Sequence, residues 1–149
     1  MFHPGAEKVR ADWERAGAGV SSVRVLVVED FAPFRQFICS TLGKRRDLQV
    51  ICEVSDGLEA VQKAVELNPD LILMDIGLAS LNGIEAARQI RKLIPESRII
   101  FMSQESSPEI VQEAMGLGAS GYVVKANAGE DLLALIENII AEKYSISST

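Results

Sequence analysis

From Val23 onward, short apolar runs alternate with stretches in which apolar residues recur at helical spacing. The short runs are rich in Val, Ile and Leu, as is typical of strands buried in a parallel sheet. They predict five strands, at 23–28, 48–54, 70–75, 98–103 and 120–124. The other stretches predict five amphipathic helices, with apolar positions at Phe34, Phe37, Ile38, Thr41 and Leu42; Leu58, Val61, Ala64 and Val65; Ile84, Ala87, Ile90 and Ile94; Ile110 to Leu117; and Leu132, Leu135, Ile136, Ile139 and Ile140.

Local signals mark the ends of these helices. Three helix starts have an Asp or Asn three residues before a Glu, as in a capping box: Asp56 with Glu59, Asn82 with Glu85, and Asn127 with Glu130. Ser107 before Pro108 is a cap followed by proline at the first helical position. Alternating strands and helices joined by right-handed crossovers predict an α/β fold, with a parallel sheet covered on both faces.

The third predicted strand, 70–75, is the centre of the candidate chemistry. Four apolar residues lead into Asp75, which therefore ends a strand buried on both faces. The carboxyl ends of parallel strands share one edge of the sheet, where α/β proteins bind their ligands. The other strands bring further polar side chains to that edge: Glu29 and Asp30 from the first, Ser103 from the fourth and Lys125 from the fifth.

Each of these residues alone has an ordinary structural explanation, as a helix start, a strand end or a solvated lysine. Their convergence on one edge favours a functional site. Two unit charges 4 Å apart repel by about 4 kcal/mol at an effective dielectric near 20, so three carboxylates there need a proton or a cation. Magnesium suits such oxygen ligands, and Lys125 could neutralise a phosphoryl group.

Composition narrows the class of protein. A chain of 149 residues suits one domain, and its net charge of -6 argues against a nucleic-acid-binding surface. The run Lys44–Arg46 is predicted to be a solvated helix end.

Cys39 and Cys52 lack metal or redox spacing and are predicted to be buried free thiols in a reducing compartment. With no apolar run near the roughly 20 residues of a membrane span and no signal peptide, we expect a cytoplasmic protein without membrane contact.

The sequence resembles the receiver domain of bacterial response regulators in two-component systems. The matching residues are Glu29, Asp30, Asp75, Ser103, Tyr122 and Lys125 at their strand ends. The segments 82–87 and 118–122 are most similar to the NarL/FixJ-like subfamily. The resemblance implies a flavodoxin-like, doubly wound five-stranded sheet of order 2-1-3-4-5 with five helices.

The resemblance also implies a mechanism. Asp75 would accept a phosphoryl group from a sensor histidine kinase or a phosphotransfer protein. Magnesium (Mg) would be held by Asp30, Asp75 and the backbone carbonyl of Gly77, with Glu29 acting through water. Lys125 would pair with one phosphoryl oxygen and Ser103 with another, while Tyr122 would change rotamer. The face formed by the fourth helix, fifth strand and fifth helix would report the change.

This mechanism describes a signalling domain with slow self-dephosphorylation and not a turnover enzyme. A homodimer could form through that same face or through the first and fifth helices. The expected organisation is a flexible extension at 1–21, a receiver domain at 22–141 and the start of a linker at 142–149. NarL/FixJ-like regulators usually continue into a helix-turn-helix domain for transcription regulation, and since this chain stops at Thr149 we expect no DNA contact from it.

Three positions depart from the family pattern. Ala79 replaces a usual proline and is expected to loosen its loop, and Ala126 follows Lys125 where proline is common. Gln104 stands after Ser103 in place of a small residue, and we expect it to restrict access to Asp75.

Two other functions stay open on the sequence alone. One is a receiver-like interaction module that works without phosphorylation, which only Ala79 and Gln104 support. The other is a magnesium-dependent phosphohydrolase, but such enzymes typically carry a second Asp two residues after the first, where this chain has Gly77.

Overall fold

Five parallel strands form a sheet of order β2-β1-β3-β4-β5. The computed structural model describes residues 22–78 and 81–148, and side-chain environments as far as Glu142. The strands are β1 (Val23–Val28), β2 (Leu48–Val54), β3 (Leu71–Asp75), β4 (Arg98–Ser103) and β5 (Gly121–Val124). The predicted flavodoxin-like fold and strand order are confirmed. The expectations for residues 1–21 and for Ala79 lie outside the described residues.

Five helices connect and follow the strands. They are α1 (Ala32–Leu42), α2 (Gly57–Leu67), α3 (Gly83–Leu93), α4 (Pro108–Gly116) and α5 (Ala128–Ser148). Helix α5 continues through residues 142–148, where we expected a linker to begin, and the domain boundary at 141 stays a prediction. None of the helices in the described part is both long enough and apolar enough to span a membrane.

The sheet separates two apolar cores. Alternate residues of each strand point to opposite faces, so Val25 and Val27 pack with α1 and α5 while Leu26 and Val28 pack with α2, α3 and α4. The central strand β3 is buried at all five positions, as the unbroken apolar run predicts. This packing fixes the direction of β3 and therefore the position of Asp75 at its carboxyl end.

Strand β2 changes face halfway along its length. Val25 pairs with Val50 but Leu26 pairs with Cys52, so Ile51 is an extra residue in a β-bulge. Because of the bulge, Val50 packs on the α1 and α5 side, whereas Cys52 packs on the side of α2, α3 and α4. The simple alternation of the sequence does not predict this reversal.

The predicted apolar stripe of α2 is wrong at two positions. The side chains of Leu58 and Val65 are 56% and 52% exposed. The helix instead buries its small residues Gly57, Ala60 and Ala64, which allow a close approach to its neighbours. At Gly57 the approach is so close that a Cβ atom would clash with the backbone carbonyl oxygen of Leu81.

The helix starts follow the sequence signals with one exception. The side chains of Asp56, Asn82 and Ser107 accept hydrogen bonds from backbone N–H groups three residues on, as predicted. Asn127 does not cap α5 in this way, because it belongs to a 3-10 turn that starts immediately after β5. In that turn the Ala128 N–H bonds to the Lys125 carbonyl oxygen.

The basic run after α1 also differs from its prediction. The helix ends at Leu42, before the run, and Arg45 is half-buried. Its guanidinium pairs with Asp47 at 2.6 Å and with Glu137 of α5 at 3.2 Å. Arg45 therefore ties the α1–β2 loop to α5 and is not simply a solvated helix end.

Both cysteines are free, as predicted, but they are half-buried. Burial raises the pKa of the Cys39 thiol to about 11. At neutral pH this thiol is protonated and therefore a poor nucleophile.

Two glycine substitutions test the close packing of α2. Gly57→Ala should reduce the free energy of unfolding by about 1–3 kcal/mol, because the new methyl group forces the helix away from Leu81. Gly116→Ala is the matched control, since nothing lies within 4 Å of its Cβ position, and it should be neutral or stabilising by up to about 1 kcal/mol. Urea unfolding measures both, and equal stabilities for the two variants would contradict the packing argument.

Candidate functional site

The predicted polar residues meet at the carboxyl edge of the sheet. Carboxylate oxygens of Glu29, Asp30 and Asp75 all lie within 4.8 Å of one another. A cleft of about 510 Å³ opens beside them, and its lining includes Asp30, Asp75, Ser103, Gln104 and Lys125. The β1, β3 and β4 ends and the turn after β5 thus build one site.

Lys125 lies between two of the acids. Its Nζ is 2.9 Å from Glu29 Oε1 and 3.3 Å from Asp75 Oδ1, and its side chain is 13% exposed. The same ammonium lies 5.0 Å from the ring centroid of Phe34, within range of a cation–π interaction. Lys125 is therefore the internal counter-ion of the acid cluster.

Glu29 is fully buried at the end of β1. Its Oε2 accepts a hydrogen bond from the Phe31 N–H at 3.0 Å. Its Oε1 is close to the Lys125 ammonium, yet no well-directed hydrogen bond reaches that oxygen from the described residues. Burial raises the pKa of Glu29, and the nearby Lys125 ammonium opposes the rise.

Asp75 is 3% exposed and its carboxylate is held by the chain that follows it. The Gly77 N–H donates to Asp75 Oδ1 at 2.9 Å. Ile76 and Gly83 are fixed in turn by two backbone hydrogen bonds, from Ile76 N–H to the Met102 carbonyl and from Gly83 N–H to the Ile76 carbonyl. A Cβ at Gly83 would clash with the Asp75 carbonyl oxygen, so helix α3 starts directly against the strand end.

The donor set fits a small divalent cation. With all three carboxyls ionised, Lys125 offsets one of three negative charges and leaves a formal charge of -2. The under-bonded Glu29 Oε1 and the exposed Asp30 carboxylate offer the oxygen ligands that magnesium prefers.

Ser103 and Tyr122 are linked through the β4–α4 loop. Ser103 is 7% exposed and its Oγ accepts a hydrogen bond from the Glu105 N–H at 3.3 Å. The Tyr122 hydroxyl donates to the carbonyl oxygen of the same Glu105 at 2.8 Å. Both hydroxyls are thus bonded to one residue of the cleft, and Ser103 makes no polar contact with Asp75 among the described residues.

Helix α1 contributes two residues that the sequence analysis did not assign to the site. Phe34 was predicted only as an apolar helix position, but its ring faces the Lys125 ammonium. No sequence motif points to Arg35, yet its Nη1 donates to the Glu29 carbonyl oxygen at 2.8 Å. The sequence signal that could have identified both residues is their position, because a helix that starts two residues after Asp30 must place its first turn beside the acids.

Comparison with known proteins places these features in a family. The sequence model of the response regulator receiver domain matches residues 25–137. The response regulator protein VraR of Staphylococcus aureus is 34% identical over 111 residues, which are 74% of this chain and 53% of VraR. The chain therefore spans about half the length of the curated relatives it matches.

Solved structures share the fold. A LuxR-family two-component response regulator from Aurantimonas sp. SI85-9A1 aligns with a TM-score of 0.77 and 32% identity, covering 82% of this chain and 87% of that one. The response regulator domain of Thermotoga maritima CheB aligns with a TM-score of 0.73 and 37% identity, covering 78% and 95%.

Replacing Lys125 tests its role as counter-ion. Lys125→Met leaves Glu29 and Asp75 without their cation and should lower the free energy of unfolding by roughly 3 kcal/mol near pH 8. Since burial raises the pKa of Glu29, the folded protein binds a proton there more readily than the unfolded chain does. The loss should therefore shrink towards pH 5, as Glu29 is protonated in the variant.

Urea unfolding at the two pH values measures this difference. The control is Lys63→Met, which removes only an exposed ion pair with Glu66 and should change stability by less than about 0.5 kcal/mol. An equal loss for Lys125→Met at both pH values would contradict the counter-ion role.

Proposed function

The chain belongs to the response regulator receiver domain family, and we propose on that basis that Asp75 is the phosphoacceptor of a two-component relay. The donor would be a phosphohistidine on a sensor kinase or on a phosphotransfer protein. The observation that carries the proposal is a buried Asp75 carboxylate 3.3 Å from the Lys125 ammonium, within a cluster of three acids.

The reaction is a phosphoryl transfer between two side chains. A carboxylate oxygen of Asp75 attacks phosphorus while the P–N bond of the phosphohistidine breaks, and the released imidazole nitrogen keeps the electron pair and takes up a proton. Both short polar contacts of Asp75 among the described residues involve Oδ1, so we assign Oδ2 as the attacking oxygen. Lys125 is placed to pair with an oxygen of the acyl phosphate that forms.

Asp30, Asp75 and the Gly77 carbonyl are the residues we assign to hold magnesium, with Glu29 acting through water. When bound, the ion offsets the charge of the transferring phosphoryl group, which is most of what this chemistry requires. The oxygen-rich cluster and its residual negative charge support this assignment. Glu29, fully buried and joined to Lys125, keeps the lysine directed at Asp75.

The readout would pass through the β4–α4 loop. After phosphorylation, the Ser103 hydroxyl would bond a phosphoryl oxygen and draw its loop inward. Because Ser103 and Tyr122 both bond to Glu105, a movement of this loop reaches β5 directly. We propose that the face formed by α4, β5 and α5 then binds partners or a second copy, with α1 and α5 as the other candidate dimer surface.

A phosphorylation-independent interaction module is the alternative. It is not favoured, because Glu29, Asp75 and Lys125 keep close polar contacts that such a module does not need. We therefore assign a phosphoaccepting signalling role, with slow loss of the phosphoryl group to water.

Intact-mass measurement tests the phosphoacceptor. Incubation with acetyl phosphate or phosphoramidate and magnesium should add one phosphoryl group to the wild type and none to Asp75→Asn. The control Asp131→Asn changes an exposed acid on α5 and should be modified as the wild type is. An adduct on Asp75→Asn would show that another residue accepts the phosphoryl group and would exclude Asp75 as the phosphoacceptor. No adduct on the wild type with any donor or kinase would favour the alternative.

Gln104 is expected to limit access to the site. Its exposed side chain lines the cleft beside the buried Asp75. In Gln104→Ala, the acyl phosphate should be lost several-fold faster and small donors should react faster, because water and donors reach Asp75 more easily. The lifetime is followed by intact mass after removal of the donor, with Gln49→Ala on the surface of β2 as control. An unchanged lifetime in Gln104→Ala would show that this side chain does not restrict access.

A further inference from the structure

Arg35 of α1 connects the acid cluster to strand β2. Its Nη1 donates a hydrogen bond to the Glu29 carbonyl oxygen at 2.8 Å. Its Nε lies 3.4 Å from Glu53 Oε1. The two side chains are 23% and 47% exposed, so Arg35 is partly enclosed while Glu53 is close to the surface.

The hydrogen bond from Arg35 acts on the peptide group between the first two acids. A peptide group is planar, so the direction of the Glu29 carbonyl also fixes the direction in which the chain continues to the Asp30 Cα. The amide on the other side of Glu29 is fixed by a 3.0 Å hydrogen bond to the Val54 carbonyl oxygen. Between them, these contacts hold the main chain from which both acidic side chains project.

The β2 bulge makes this arrangement possible. Val54 packs on the α2, α3 and α4 side of the sheet, so its neighbour Glu53 points towards α1. Without the extra residue Ile51, the alternation set by Val50 would place Glu53 on the opposite side from Arg35. The irregularity in β2 therefore brings a carboxylate to the guanidinium that binds the Glu29 carbonyl.

Two opposite effects on a metal site follow from this position. As a positive charge beside the acids, Arg35 repels a cation, so its removal would tighten metal binding. As a group that orients ligands, it favours binding, because residues that hold metal ligands in place typically contribute about 10- to 100-fold in affinity. The sign of the change distinguishes the two effects.

We propose that Arg35 is a positioning residue that orients the Glu29–Asp30 peptide so that the Asp30 carboxylate faces Asp75. This inference rests on the proposed magnesium site. The orienting effect outweighs the repulsion, since the hydrogen bond is direct while the guanidinium charge is partly offset by Glu53. Arg35 itself contacts no reacting atom.

Calorimetric titration of the full chain with magnesium chloride tests the proposal. Arg35→Gln should bind magnesium about tenfold more weakly than the wild type. Arg35→Lys keeps a cationic donor but cannot bridge both partners, and its affinity should fall between the two. Glu53→Gln is the matched control, because it removes an exposed partner and keeps the bond to Glu29, so its loss should be the smallest.

The outcomes separate this inference from the proposed function. If the wild type does not bind magnesium, the metal site fails and the inference fails with it. If the wild type binds and Arg35→Gln binds equally or more tightly, only the positioning role is overturned. Unfolding curves without magnesium identify any variant that does not fold. If Arg35→Gln does not fold, the test rests on Arg35→Lys, and a magnesium affinity equal to that of the wild type in this variant overturns the positioning role of Arg35.

Discussion

The ion pairs of Lys125 are the constraint on which the site depends. Glu29 and Asp75 are almost completely buried, and unit charges about 4 Å apart repel by about 4 kcal/mol at an effective dielectric near 20. Lys125 lies within 3.3 Å of both carboxylates, which makes that arrangement tolerable. The lysine is held in place by the turn after β5 and the Phe34 ring. The ends of β1 and β3 and the turn after β5 are thus held together by the attraction between Lys125 and the two carboxylates.

Much of this arrangement could be predicted from the sequence, for a simple physical reason. A strand with no polar face must be buried on both sides, which places β3 in the middle of the sheet and Asp75 at its end. Parallel strands share a carboxyl edge, so the acids, Ser103 and Lys125 could be brought together from strand ends alone. The strand bounds were predicted to within one residue because polar residues flank the apolar runs.

The rest depends on tertiary contacts that a pattern does not encode. Helix α2 packs through its small residues and leaves Leu58 and Val65 exposed. Hydrophobic periodicity does not predict this, because it gives small residues such as Gly and Ala little weight as core positions. The site roles of Phe34 and Arg35 depend on the angle at which α1 leaves the acid pair. An extra residue in β2 is likewise invisible until the pairing with β1 is known.

The bulge in β2 has a consequence beyond the site. Strands β2 and β5 are the outer strands of the sheet, where unpaired backbone N–H and C=O groups can pair with a strand of another molecule. Strand β5 has four residues, which offers little length for such pairing. Strand β2 has seven, but the bulge at Ile51 interrupts its even spacing of donors and acceptors, and Gln49 and Glu53 are exposed along it. The same irregularity thus protects the longer edge against strand-to-strand aggregation.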